Sequence, residues 1–207
     1  MKHRTSKITK LFHLFTFLGM FLTGLMALLI PLIFGLSLFG LLDMREYDIQ
    51  LPVSIDGSAF PSNDPSKPFQ SISILEAKAE LSSANFAPAT LVLSGFAVFV
   101  VLLLIFCALR ELNKLLCSIK ASEIFIQENY QHLKRFAWLN LALVLIWPAL
   151  ELALSVHVSS LASFDYIEFV TGYHPDWNRF FLVLALFIIA DVFKHGIELK
   201  NEQDLTI

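Results

Sequence analysis

At 207 residues the chain has the length of a single domain. Its composition is not that of a water-soluble one: 56% of residues are hydrophobic and 16% charged, with a mean hydropathy of +0.67, where globular chains carry roughly 25% charge. A net charge of −3 gives no reason to expect nucleic acid as a partner, and 20 Phe suit a lipid-facing exterior better than a compact aqueous core.

The chain opens with Lys2, Arg4, Lys7 and Lys10, followed by an apolar run from Leu11 to Leu42. A secretory h-region holds about 7–15 residues, and no A-x-A-like cleavage site follows this longer run, so it reads as an uncleaved signal anchor. A bilayer core needs about 20 helical residues. The first transmembrane helix, about 12–42, is therefore over-long, and is expected to tilt, kink near Pro31 or project past the membrane.

An extracytoplasmic segment, 43–86, comes next. Tyr47 to Ile55 alternates partly like a strand and ends at the turn pair Asp56-Gly57. Phe60 to Gln70 reads as loop. Ser71 to Leu75 reads as a second strand, completing a short β-hairpin, and Glu76 to Ser83 as helix. The segment is a small structured cap over the helices or a ligand-sensing loop. It holds no D-x-D-x-D-G calcium pattern.

The second transmembrane helix, about 88–110, contains the run Leu91 to Leu109. Ser82, Ser83 and Asn85 are candidate caps, and Pro88 suits the first helical turn. In the hairpin 111–133, Leu112, Leu115, Leu116 and Ile119 recur on one face, with Glu111, Lys114 and Lys120 elsewhere on the circumference. That helix is expected to continue the second span or to lie along the membrane. Ile124-Phe125 interrupts the polarity, and Glu128 to Arg135 starts a helix feeding the third span, about 134–158. The segment is an ordinary helical hairpin or a docking surface, and is too short for a helix-turn-helix DNA module. The fourth span, about 177–197, is entered through His174-Pro175-Asp176, with Asp176 as N-cap. Tyr166, Tyr173 and Trp177 gather there as an interfacial belt. The tail is 198–207.

Orientation follows from the cations. With the N-terminus inside, cytoplasmic segments hold Lys2, Arg4, Lys7, Lys10, Arg110, Lys114, Lys120, Lys134, Arg135, Lys194 and Lys200. Outside lie Arg45, Lys67, Lys78 and Arg179. Eleven of the fifteen basic residues are thus inside, which places both termini in the cytoplasm.

Three titratable residues in or beside the spans are candidate functional groups. Glu151, after Trp147-Pro148, lies slightly outward of the middle of the third span, where a carboxylate costs a few kcal/mol unless it is protonated or faces a polar interior. It is either a packing acid or part of a responsive polar site with Asn140, Ser94 or Thr23. His157, six residues on, is a boundary histidine or a relay partner of Glu151. Asp191 is expected to pair with Lys194 and His195 one turn away.

Other chemistry is sparse. Cys107 and Cys117 are about 15 Å apart along one helix, too far for a disulfide. The six histidines form no zinc spacing. Ser94 lacks a nucleophile frame and a base. The first-span glycines, Gly19, Gly24, Gly35 and Gly40, do not make a GxxxG seam. An enzyme, a metal and a cofactor are not expected.

Two stretches are specific. Ile124 to Trp138, IFIQENYQHLKRFAW, and Asp191 to Ile207, DVFKHGIELKNEQDLTI, resemble the central and closing motifs of the bacterial membrane family called domain of unknown function 2975. Ala121 and Ser122 stand where that family usually has a glycine. The four spans read as a single membrane domain over 1–207, an all-α four-transmembrane-helix bundle. The resemblance implies a small four-span protein of unestablished biochemistry in the bacterial cytoplasmic (inner) membrane. It further implies that members are often encoded beside a small cytoplasmic helix-turn-helix regulator. Candidate partner-contact residues are Phe125, Glu128, Asn129, Arg135, Gly196, Glu198, Glu202 and Asp204. The expectation is a non-catalytic regulatory or sensory protein in the lipid bilayer, with the regulator or a second copy of itself as partner and no direct nucleic-acid contact. The alternatives are a small transporter or channel component with Glu151 in its path, and an intramembrane hydrolase using Ser94.

Overall fold

Long uninterrupted apolar runs leave the backbone one economical way to satisfy its polar groups in lipid, the α-helix. The computed structural model describes residues 7–42, 48–55, 74–82, 88–120, 125–161, 167–170 and 172–205. Among these, four helices are long and apolar enough to cross a membrane: α1 (Lys7–Leu38), α2 (Pro88–Lys120), α3 (Gln127–Leu161) and α4 (Trp177–Leu205). Their most apolar stretches have mean hydropathies between 2.0 and 3.0. Phe12, Leu14, Phe15, Phe21 and Leu28 of α1 are each more than half exposed. A water-soluble protein does not leave such a stripe uncovered, whereas acyl chains cover it at no cost.

Helix ends carry ordinary stop and start devices. α1 runs through Pro31 and stops at Leu38, four residues before the sequence-based boundary. Gly40 takes φ 69, with Gly40 N–H bonded to Ser37 O and Leu41 N–H to Leu36 O, both at 3.0 Å. That is a Schellman closure, whose left-handed position favours glycine. At α4, Asp176 caps as expected. Its Oδ1 accepts from Arg179 N–H at 3.1 Å, and its Oδ2 lies 3.0 Å from Arg179 Nε. α2 begins at Pro88. Of the other caps considered for it, Ser82 belongs to a strand, and Ser83 and Asn85 lie outside the described residues.

The sheet is larger than a hairpin. β1 (Asp48–Ile55) is central, with β2 (Ile74–Ser82) on one side and β3 (Ile167–Phe169) on the other, both antiparallel to it. Glu76 to Ser82, expected as helix, is strand. Ala, Glu and Lys favour helices individually, but Glu76, Lys78 and Glu80 alternate with Ala77, Ala79 and Leu81 at the period of a strand. The register sets Ala77 opposite Val53 and Ala79 opposite Leu51. Pro52 is tolerated in the central strand because β3 pairs only with residues 53–55, and its carbonyl accepts from Val170 N–H at 3.0 Å. The expected turn Asp56-Gly57, the loop 60–70 and residues 71–73 lie outside the described residues.

The chain forms two compact units. One comprises residues 1–29, 99–146 and 175–207, and the other 30–98 and 147–174. The first contains segments of all four helices. Leu115 of α2, Leu133 of α3 and Ala190 of α4 form its core, with Leu112, Ile119 and Phe193 packed around them. The second contains the sheet, where Leu51 (1% exposed) packs on Val158 and Leu154 of α3 and on Phe169.

Candidate functional site

The residues with chemical potential gather in three places, two in the first unit and one in the second. The first is the junction of the α3 start with the α4 end. α2 continues the second span to Lys120, and α3 opens at Gln127, so residues 111–120 and 127–133 of the hairpin are helix extensions. Ile124 lies outside the described residues. Phe125 turns back onto α4: its ring centroid is 5.6 Å from that of Phe193. A Cβ added at Gly196 would stand 2.7 Å from Phe125 Cε1, so only glycine lets the ring lie there undisturbed. The two specific stretches of the sequence are therefore packed together through Phe125 and Gly196.

Asn129, in the first turn of α3, is completely buried. Of the eight expected contact residues, Asn129 is thus interior, whereas Phe125 packs against Gly196 and Phe193 with part of its ring still exposed. Glu128 and Arg135 remain exposed on α3, as do Glu198 and Glu202 on α4. Glu198 lies 3.0 Å from His195 Nδ1 and 3.8 Å from Lys194 Nζ. The pairing expected for Asp191 thus belongs to Glu198. Among the described residues exposed Asp191 makes no ion pair, because Lys194 and His195 turn toward the helix C-terminus. Asp204 lies in the last turn of α4.

The second place is a polar network beside a cleft. Glu111 Oε2 accepts from His132 Nδ1 at 2.6 Å, and Glu111 Oε1 accepts from Lys114 Nζ at 2.9 Å. The Glu111 side chain is 12% exposed, and the pair staples α2 to α3 where the apolar runs end. A cavity of about 360 Å³ adjoins it, lined by Cys107, Arg110, Glu111, Arg135, Trp138 and Leu139. Nearby, Thr16 of α1 bonds Asn113 of α2 at 3.4 Å, and His13 Nε2 lies 3.1 Å from Cys117 Sγ. Cys107 and Cys117 are free thiols.

The third place lies in the second unit. Thr90 Oγ1 of α2 and His157 Nε2 of α3 share a hydrogen bond of 3.0 Å. His157 is thus tied across to α2 rather than to Glu151. On α3, Pro148, Ser155 and Val158 are buried, and Glu151 falls between them at helical spacing, half-buried on the same face. Among the described residues Glu151 makes no hydrogen bond or ion pair, and the hydroxyl of Ser155, one turn on, is buried without a partner. Among the described residues none of the polar groups considered alongside Glu151 hydrogen-bonds to it. Ser94 bonds Leu91 O, Asn140 bonds Phe136 O, and Thr23 bonds Gly19 O, each within its own helix.

Sequence reasoning singled out Phe125, Asn129, Gly196 and Glu151, but missed Thr90, Ser155 and the pairing of Glu111 with His132. Thr90 and His157 are far apart in the chain, and no local pattern announces such a bond. Glu111 and His132 lie on either side of the hairpin, 21 residues apart in the chain, and nothing local pairs them. Among the described residues no group of three or more His, Cys, Asp or Glu is placed to hold a metal ion.

Comparison with known proteins agrees with the two motifs. Residues 73–207 match the family described as "Protein of unknown function (DUF2975)". That span takes in β2, α2, α3, β3 and α4. No match was found among curated proteins or among solved structures.

Proposed function

Because the chain belongs to the DUF2975 family, we propose that it is a non-catalytic regulatory or sensory protein of the bacterial cytoplasmic membrane. Both of its termini lie in the cytoplasm, and it acts through a small cytoplasmic protein. The observation that carries this reading is the junction of the two family motifs. Phe125 on Gly196 and Phe193 joins the α3 start to the α4 end, with Glu128 and Arg135 of α3 and Glu198 and Glu202 of α4 exposed. Charged groups presented by a fixed scaffold suit specific recognition more than raw affinity. The distribution of Lys and Arg supports the cytoplasmic placement of that junction. The partner that the family resemblance suggests is a small helix-turn-helix regulator.

The test is photo-crosslinking in intact cells from position Glu128, with position Phe181 as a lipid-facing control. The reading expects a specific adduct with the regulator from Glu128 and none from Phe181. Equal yields from both positions, or no adduct from Glu128, would overturn it.

A second reading is favoured by Glu151. An acid on the buried face of a membrane helix, followed one turn later by a buried unpartnered hydroxyl, suits a polar path for a small cation or proton. On this reading Glu151→Gln abolishes flux in proteoliposomes. Flux unchanged by the substitution would remove Glu151 from any path.

A further inference from the structure

The cleft beside Glu111 holds two arginines, of which only Arg135 enters the partner reading. From Leu91 to Leu109 α2 carries no charged residue, and Arg110 is the first; from Phe136 to Leu150 α3 carries none, and Arg135 immediately precedes that run. Both arginines therefore stand where hydrocarbon gives way to headgroups, and both line the same cavity. The single acid of the lining, Glu111, has its two oxygens engaged by Lys114 and His132. Among the described residues neither Arg110 nor Arg135 makes a hydrogen bond or an ion pair. Among the described residues two guanidinium groups that make no ion pair thus share one cavity with Trp138, Leu139 and Cys107.

We propose that this cleft binds one anionic phospholipid, with its phosphate on Arg110 and Arg135 and its upper acyl chain along Trp138 and Leu139. Guanidinium forks match phosphate oxygens two at a time, and basic pockets between membrane helices are where acidic headgroups settle. The volume of about 360 Å³ falls in the range of small-ligand sites, roughly 300–1,000 Å³. A free phosphate would satisfy the arginines but leave the apolar wall bare, with Trp138 55% exposed. A lipid covers both.

Trp138 supplies the test. Trp147→Phe and Trp177→Phe leave it as the sole tryptophan. The full chain is placed in nanodiscs of phosphatidylcholine, with a fixed fraction of either phosphatidylglycerol or phosphatidylcholine brominated near the headgroup. Brominated phosphatidylglycerol should quench Trp138 in clear excess, since each arginine is expected to enrich an acidic lipid roughly fivefold at low salt. Arg110→Gln with Arg135→Gln should bring quenching to the phosphatidylcholine level. Arg135→Gln alone, at an exposed position, should reduce the excess, whereas Lys134→Gln, a neighbouring cation outside the cleft, should not.

Equal quenching by the two lipids would overturn the proposal. So would an excess that survives both arginine substitutions, or one that falls equally with Lys134→Gln, which marks mere surface charge. Loss of the excess on adding inorganic phosphate would assign the cleft to a free anion and overturn the lipid.

Discussion

Phe125 is 44% exposed, yet its ring edge occupies the space that a side chain at position 196 would need. The consequence is a measurable coupling. Gly196→Leu should displace the ring and lower stability by about 1–3 kcal/mol, the usual cost of overfilling a packed site. In a Phe125→Ala background the same leucine should cost much less, because leucine is the better helix former and the space is then open. Thermal unfolding in detergent of the four proteins of this cycle checks it; additive losses would show that the two residues do not meet. Glu151 makes the opposite prediction. With no partner among the described residues and a position on the buried face of α3, its charge is a cost. Glu151→Gln should leave the midpoint equal or raise it. A loss above about 1 kcal/mol, the worth of a good hydrogen bond, would reveal a bond to the carboxylate.

At the scale of elements, the sheet and the helices differ in what they owe to local sequence. Leu51 joins β1 to α3 through Val158 and Leu154. Leu51→Ala should cost about 2–5 kcal/mol as a core truncation, read as a fall in the midpoint of unfolding. A change within about 0.5 kcal/mol, typical of surface positions, would contradict the packing of the sheet on α3.

The four helices were legible because a run of some twenty apolar residues has no other stable form in lipid, and Asp176 and Pro88 announced two starts. β2 was misread in part, because the helix propensities of Ala, Glu and Lys masked an alternation that the register with Leu51 and Val53 makes decisive. β3 was not legible at all. Ile167–Phe169 is three residues long and becomes a strand only by pairing with Val53 to Ile55, a contact no local window contains. The same reasoning separates the residues of the site. Phe125 and Gly196 stood out through their motifs, whereas the Thr90–His157 and Glu111–His132 bonds exist only once the helices meet.

At the scale of the whole molecule, the account rests on four membrane spans, with the α2–α3 turn and both termini proposed to share the cytoplasm. The apolar exposure of α1 and the hydropathy of α2, α3 and α4 argue for the spans, and the position of the cations argues for their direction. Everything proposed about a cytoplasmic partner depends on that direction, whereas the lipid cleft does not. Cysteine accessibility in intact cells measures it most directly. Cys107 and Cys117 are first replaced by alanine, and single cysteines are then introduced as Ser66→Cys, Lys120→Cys and Lys200→Cys. A membrane-impermeant maleimide should label position 66 from outside, and reach positions 120 and 200 only after the membrane is opened. Labelling of position 120 in intact cells, or protection of position 66 together with 120, would contradict the account.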